Sequence, residues 1–308
     1  MLMKTAIEDF ALYLEAERGY STLTCWSYRS DLCLLLDFLG GRQNGTAVHE
    51  ITTQMVRSWI VSMKERGLVN NTIARRVHAL RSFWRYLLDT DLVNHDPLRK
   101  VSAPKQQRSL PRYLRAIELR ALLDTAQKHR DPLIAFRNYA MMAVLIFTGV
   151  RRGELLSLRL GDVDLQERLL RVHGKGGKWR VVPLAEEAAE AVSDWLELRP
   201  SEKGHGFLFT TSRGNPIYPC RMQRIWRSIL ERSGIPTQGV TIHTLRHSCA
   251  TLLLQSGTCD IVQIQQLLGH SRLDTTAIYL HLQPQALQTA MNAHPLSVAR
   301  QDGGRIPE

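Results

Sequence analysis

The sequence predicts a two-domain, mainly α chain with a small antiparallel β-sheet: a helical bundle first, then an α+β domain. Three observations carry that expectation. Apolar residues recur at helical spacing four times within the first hundred residues. A polar segment bracketed by Pro104 and Pro111, VSAPKQQRSLPR at 101–112, then breaks the pattern. Beyond it, one alternating stretch with a glycine-rich turn, DVDLQERLLRVHGKGGKWRVVPL at 162–184, lies among further helical segments.

The four amino-terminal helices are marked by Ile7, Phe10, Ala11 and Leu14; by Leu32, Leu35, Leu36 and Leu39; by Val56, Trp59, Ile60 and Met63; and by Ile73, Val77, Leu80, Trp84 and Leu87. Ser21 or Thr22 is placed to cap the second and Gly40-Gly41 to end it, with Asn70 or Asn71 capping the fourth. Prolines 104 and 111 cannot continue a helix or a central strand, so the expected divisions are residues 1–100, a linker at 101–112 and residues 113–308. In the second domain, residues 133–147 read as a buried helix that breaks at Thr148-Gly149, and RRGELLSL resumes the helical pattern. Residues 162–184 read as strands joined around Gly174 to Gly177, and helices are expected near 185–198, 219–233, 244–256, 260–268 and 274–281.

Composition narrows the function. Forty Lys and Arg against 29 Asp and Glu give a net charge of +11, the footprint of a protein that meets a polyanion, nucleic acid or an acidic membrane surface. Residues 1–103 hold 13 basic and 11 acidic side chains, so most of the excess lies with the larger domain. No apolar run reaches the roughly 18 residues a membrane span needs, and the acidic amino terminus does not read as a signal peptide, so a cytoplasmic protein is expected. Five scattered cysteines without CxxC spacing predict reduced thiols, mostly in the core, and neither a disulfide framework nor a zinc site.

Four short stretches carry chemistry. In TGVRRGEL, 148–155, Arg151 falls in the first turn of a helix, where free N–H groups favour anions and a cation is costly. An anion brought to Arg151 resolves that conflict; so does an ordinary ion pair with Glu154, three residues on. In GKGGKWR, 174–180, Lys175 sits at a hairpin tip, a common solvated position, and the spacing of a nucleotide-binding loop is missing, so no ATP use is expected. In TIHTLRHSCATLLL, 241–254, His243, Arg246 and His247 share one helix face beside an apolar stripe, where cations are expensive unless something negative joins them. A phosphate fits that face better than a metal, because an arginine lies between the histidines and no carboxylate ligand accompanies them. In LLGHSRLDTTAIYLHL, 267–282, His270 follows a helix-stopping glycine and Tyr279 stands inside a short helical pattern that Asp274 or Thr275 would cap; alone, Tyr279 reads as a half-buried aromatic.

In this order the segments resemble the tyrosine recombinase (phage integrase) family, especially its two-domain Xer-like members, over nearly the whole chain. The resemblance implies an amino-terminal helical, SAM-like core-binding domain and an α+β catalytic domain. It also implies site-specific cutting and rejoining of DNA through a covalent 3′-phosphotyrosine, in dimer resolution or in mobile-element integration and excision. The family's active-site residues fall on Arg151, Lys175, His243, Arg246, His270 and Tyr279, with Glu154 supporting the first arginine. No cofactor and no metal are implied. The implied partner is double-stranded DNA carrying a recombination site, with a tetramer on two such sites, a paralogous recombinase or accessory factor, and no membrane. In the family a terminal helix, here within 287–301, docks on a neighbouring subunit; packing on its own domain is the other reading. A type IB topoisomerase and a catalytically inert DNA-binding member of the same fold are the competing functions.

Overall fold

The apolar repeats of the first hundred residues become a bundle because each stripe needs a facing stripe to leave water. The computed structural model describes residues 1–40, 45–104, 112–174, 177–200 and 204–269. The chain forms two compact units, Met1–Ser109 and Leu110–Glu308. The first contains α1 (Met3–Ala16), α2 (Thr22–Phe38), α3 (Thr53–Glu65) and α4 (Asn70–Asp89). Phe10, Leu32, Leu35, Val56, Ile73, Leu80 and Phe83 lie in its core, where the Phe10 and Phe83 rings meet edge to face at 5.4 Å. Ser21 caps α2 by accepting from the Thr24 N–H at 3.3 Å. The fourth helix starts differently from expectation: Val69, not an asparagine, is the extended residue before it. Its carbonyl already accepts from the N–H groups of Thr72 and Ile73, so Asn70 is the first helical residue.

The second unit is built round α6 (Pro132–Thr148), a helix apolar on nearly every side. Its Ala140 to Leu145 run is at most 1 % exposed, and burial of each larger side chain there contributes about 1.5–3 kcal/mol. Asp131 caps it by accepting from the Leu133 N–H at 3.0 Å, and Pro132 supplies a first position that needs no donor. Around it pack α5 (Ala116–Gln127), α8 (Glu186–Leu198) and α10 (Ile242–Gln255). Helix α5 lies in a stretch for which no helix is expected, and Leu119, Leu122, Leu123 and Ala126 form its buried stripe. Among the described residues the remaining α-helices are α7 (Arg152–Ser157), α9 (Pro219–Arg232) and α11 (Ile261–Leu268); the helix expected near 274–281 lies outside them. The sheet is antiparallel in the order β1 (Val163–Asp164), β2 (Leu169–His173) and β3 (Trp179–Pro183). Its β2–β3 register pairs Val172 with Arg180 and His173 with Trp179. Thus the fold is mainly helical with one small sheet.

Of the five free thiols only Cys25 and Cys249 are buried; Cys33 and Cys259 are half-buried and Cys220 is exposed, fewer in the core than expected. No described helix is long and apolar enough to cross a membrane.

Candidate active site

The break after α6 is a glycine for two physical reasons. Gly149 adopts φ 62°, in the left-handed region, and a Cβ there would stand 2.8 Å from Leu268 Cδ2 and 3.3 Å from Cys249 Sγ. The turn therefore brings α10 and the end of α11 against the start of α7. Arg151 is the residue just before α7, one position earlier than its sequence reading. Its N–H donates to Glu154 Oε2 at 2.8 Å and its Nη1 to Oε1 at 2.7 Å, so the ordinary helical ion pair is present.

Glu154 is more than that pair's partner. From β3, Arg180 donates Nη1 to Oε1 at 2.9 Å and Nη2 to Oε2 at 2.8 Å, leaving the carboxylate with four donors. Burial pushes its pKa up, but the hydrogen bonds from Arg180 and from the Arg151 backbone and side chain outweigh that, and the pKa falls to about 2. Glu154 is a permanent anion at neutral pH. Its site on α7 holds two guanidinium groups at the edge of the hairpin.

Arg246, in α10, is only 6 % exposed and donates to the carbonyls of Gly149 at 2.8 Å and Leu268 at 2.7 Å. A buried cation is tolerable here because it meets carbonyl oxygens at the negative ends of α6 and α11. Arg151 Nη2 reaches the Gly269 carbonyl at 3.3 Å and Arg180 Nε the Leu267 carbonyl at 2.9 Å. Three arginines from three elements thereby take three successive carbonyls, 267 to 269, that the end of a helix leaves without partners.

Arg151 and Glu154 border a cavity of about 370 Å³ lined also by Arg152, His173, Gly174 and His243, among others. His243 stands on its solvent-facing rim, but protein atoms crowd its ring. That desolvation, with the charges of Arg152, Arg246 and Arg151, lowers its pKa. His247 is half-buried, and desolvation with Arg246 and His243 lowers its pKa as well. Both imidazoles are thus biased to neutrality by burial first and by a cationic surround second, and an incoming anion would offset the second. Among the described residues no group of three His, Cys, Asp or Glu is arranged to hold a metal.

The structure thus brings Arg151, His243 and Arg246 together. Lys175, His270 and Tyr279 lie outside the described residues. Reading the sequence missed Arg180. The signal was the period of two along β3, which puts Arg180 on the same side as buried Val182 and so demands a charged partner inside.

Comparison with known proteins decides the family. A model of the phage integrase family matches residues 112–286, and one of the phage integrase N-terminal SAM-like domain matches residues 7–91. The chain belongs to the phage integrase family of tyrosine recombinases. It is 34% identical over 308 residues to tyrosine recombinase XerC of Roseiflexus castenholzii, covering 98% of this chain and 96% of that protein. Tyrosine recombinase XerC of Alcanivorax borkumensis is 37% identical over 301 residues, covering 96% of this chain and 95% of the relative. Among solved structures, the XerA recombinase superposes with a TM-score of 0.51 at 30% identity, over 98% of this chain and 99% of that one. The XerH recombinase bound to its difH substrate, in a pre-cleavage complex, gives 0.69 at 26% identity, over 94% and 84%. As a tyrosine recombinase, the chain is a DNA strand transferase, and its helical first unit is the SAM-like domain of this family.

Proposed function

We propose that this recombinase cleaves duplex DNA with Tyr279 as nucleophile, forming a 3′-phosphotyrosine and releasing a 5′-hydroxyl. The phenol oxygen bonds to phosphorus as the bridging 5′ oxygen departs; attack by a 5′-hydroxyl from a second duplex reverses the step and rejoins strands without ATP. The observation that supports this most is the cationic cavity shared by Arg151 and His243, with Arg246 tied to the turn that leads into Arg151. Arg151, which lines the cavity, is suited to hold non-bridging oxygens and the charge that grows in the transition state, a role worth on the order of 3 kcal/mol per donor; Arg246, whose Nη1 and Nη2 bond the Gly149 and Leu268 carbonyls, joins it through the second N–H of each nitrogen. His243 and His270 add hydrogen bonds and move protons, and Lys175 protonates the departing 5′ oxygen. With positive charge supplied by arginine, no divalent metal is required.

Residues 1–100 serve as the core-binding domain, 101–112 as a linker and 113–308 as the catalytic domain. The partners are double-stranded DNA with a specific site and further copies of the chain, as a tetramer on two sites, with a paralogous recombinase or accessory factor. The setting is the cytoplasm. Incubation with a nicked target duplex in EDTA tests the chemistry: the wild type leaves an adduct that survives SDS, and Tyr279→Phe binds the duplex without leaving one. An adduct formed by Tyr279→Phe removes Tyr279 from the mechanism.

A further inference from the structure

We propose that Arg180 is a positioning residue for the reaction: it touches no substrate and holds Arg151 in its working orientation through their shared carboxylate, Glu154. The proposal rests on the reading of Arg151 as a phosphate-binding arginine. Its basis is how the donors of each arginine are used. All three nitrogens of the Arg180 guanidinium have protein acceptors at 2.8 to 2.9 Å: Nη1 and Nη2 the two oxygens of Glu154, Nε the carbonyl of Leu267. Its side chain is 13% exposed, against 35% for Arg151, so only Arg151 of this pair is open to a ligand.

The arrangement makes one rigid object of three elements. Arg180 leaves from β3, Glu154 from α7, and the Leu267 carbonyl from the end of α11. The contact with the α11 end is tight: a Cβ at Gly269 would stand 3.0 Å from Arg180 Cδ and 3.2 Å from its Nε and Nη1, so the bare backbone of Gly269 is what lets the guanidinium pass. Without Arg180, Glu154 still pairs with Arg151, but a carboxylate 5% exposed has lost two of its four donors and its link to the sheet. Its carboxylate plane, and with it the direction of the Arg151 fork, is then free to turn. A planar guanidinium serves a phosphate only at a defined angle, so the damage falls on charge stabilisation at the non-bridging oxygens.

That location of the damage provides a readout that ordinary loss of stability cannot imitate. Single-turnover adduct formation is measured on two nicked duplexes, one with a normal scissile phosphodiester and one with a methylphosphonate there, whose methyl replaces a charged non-bridging oxygen. Arg151→Ala calibrates the response: it slows the phosphodiester much more than the methylphosphonate, which carries no charge for Arg151 to neutralise. Arg180→Ala is expected to shift the ratio of the two rates in the same direction, slowing the phosphodiester by about 100-fold and the methylphosphonate by only a few-fold. Arg180→Lys, with one amine in place of a fork, is expected between wild type and Arg180→Ala. Because a ratio of rates within one preparation is independent of the folded fraction, equal slowing on both substrates overturns the proposal, as does a wild-type phosphodiester rate in Arg180→Ala. Absence of any adduct from the wild type would instead strike the proposed function.

Discussion

Asp31 in the first unit and Glu154 in the second are each 5% exposed at the side chain and each stand between two arginines, yet their pKa values move in opposite directions. Asp31 takes both its hydrogen bonds from one half-exposed guanidinium, that of Arg75; the second arginine, Arg76, approaches only to 3.7 Å, too far for a hydrogen bond. Burial therefore wins, and the Asp31 pKa rises despite both neighbouring charges. Glu154 takes two donors from Arg180 and two from Arg151, one of them a backbone N–H, and its pKa falls to about 2. Counting arginines does not distinguish the two sites. What separates them is how many donors reach the carboxylate: four at Glu154, enough to outweigh desolvation, and two at Asp31, where desolvation prevails.

The largest effect should come from removing each charge in turn. Glu154→Gln leaves Arg151 and Arg180 facing an amide and is expected to cost about 3 kcal/mol of stability, the equivalent of its pKa displacement, with adduct formation down by 100-fold or more. Asp31→Asn, whose ionised form the fold disfavours, should cost under about 1 kcal/mol and leave the cleavage rate unchanged. Denaturant unfolding and the nicked-duplex assay read both; equal costs at the two positions would erase the contrast.

Acid titration offers a gentler separation. The folded pKa of Glu154 lies below its ordinary 4.5, so its contribution is fully present above that value and is lost between about pH 4.5 and about pH 2. The folded pKa of Asp31 lies above its ordinary 3.8, so its fold gains relative stability as the pH drops through the folded value towards 3.8. Carboxyl NMR should give a midpoint near 2 for Glu154 and one above 3.8 for Asp31; the reverse order would refute the donor argument. The smallest expected effect is at His243. Its imidazole should titrate below 6.5 in the free protein and move upward when DNA binds, as phosphates offset Arg152, Arg246 and Arg151. NMR of the ring measures both midpoints.

Most helices were legible because periodicity needs no partner to be read: the stripes of α1 to α4 in the bundle and of α6 in the second unit are burial patterns written residue by residue. Sequence and structure part where local signals compete. Two asparagines suggest a cap before α4, but the turn closes on the Val69 carbonyl; α5 has a clear apolar face yet follows directly on the polar, proline-bracketed segment. At the site, Arg151, His243 and Arg246 were legible from motif and spacing, and so was Glu154 as an (i, i+3) partner. Arg180 was not, because its partners are 26 and 87 residues away and only the fold brings them within reach.

The sequence by itself determined which side chains of this recombinase are chemically equipped, their order along the chain, and which faces of its helices must leave water. Only the tertiary structure decided which arginine is spent on the protein and which stays open to an anion. Residue type and spacing are properties of neighbours along the chain. The division of one carboxylate and three carbonyls among three guanidinium groups depends on where strand β3, helix α10 and the ends of α7 and α11 meet in space.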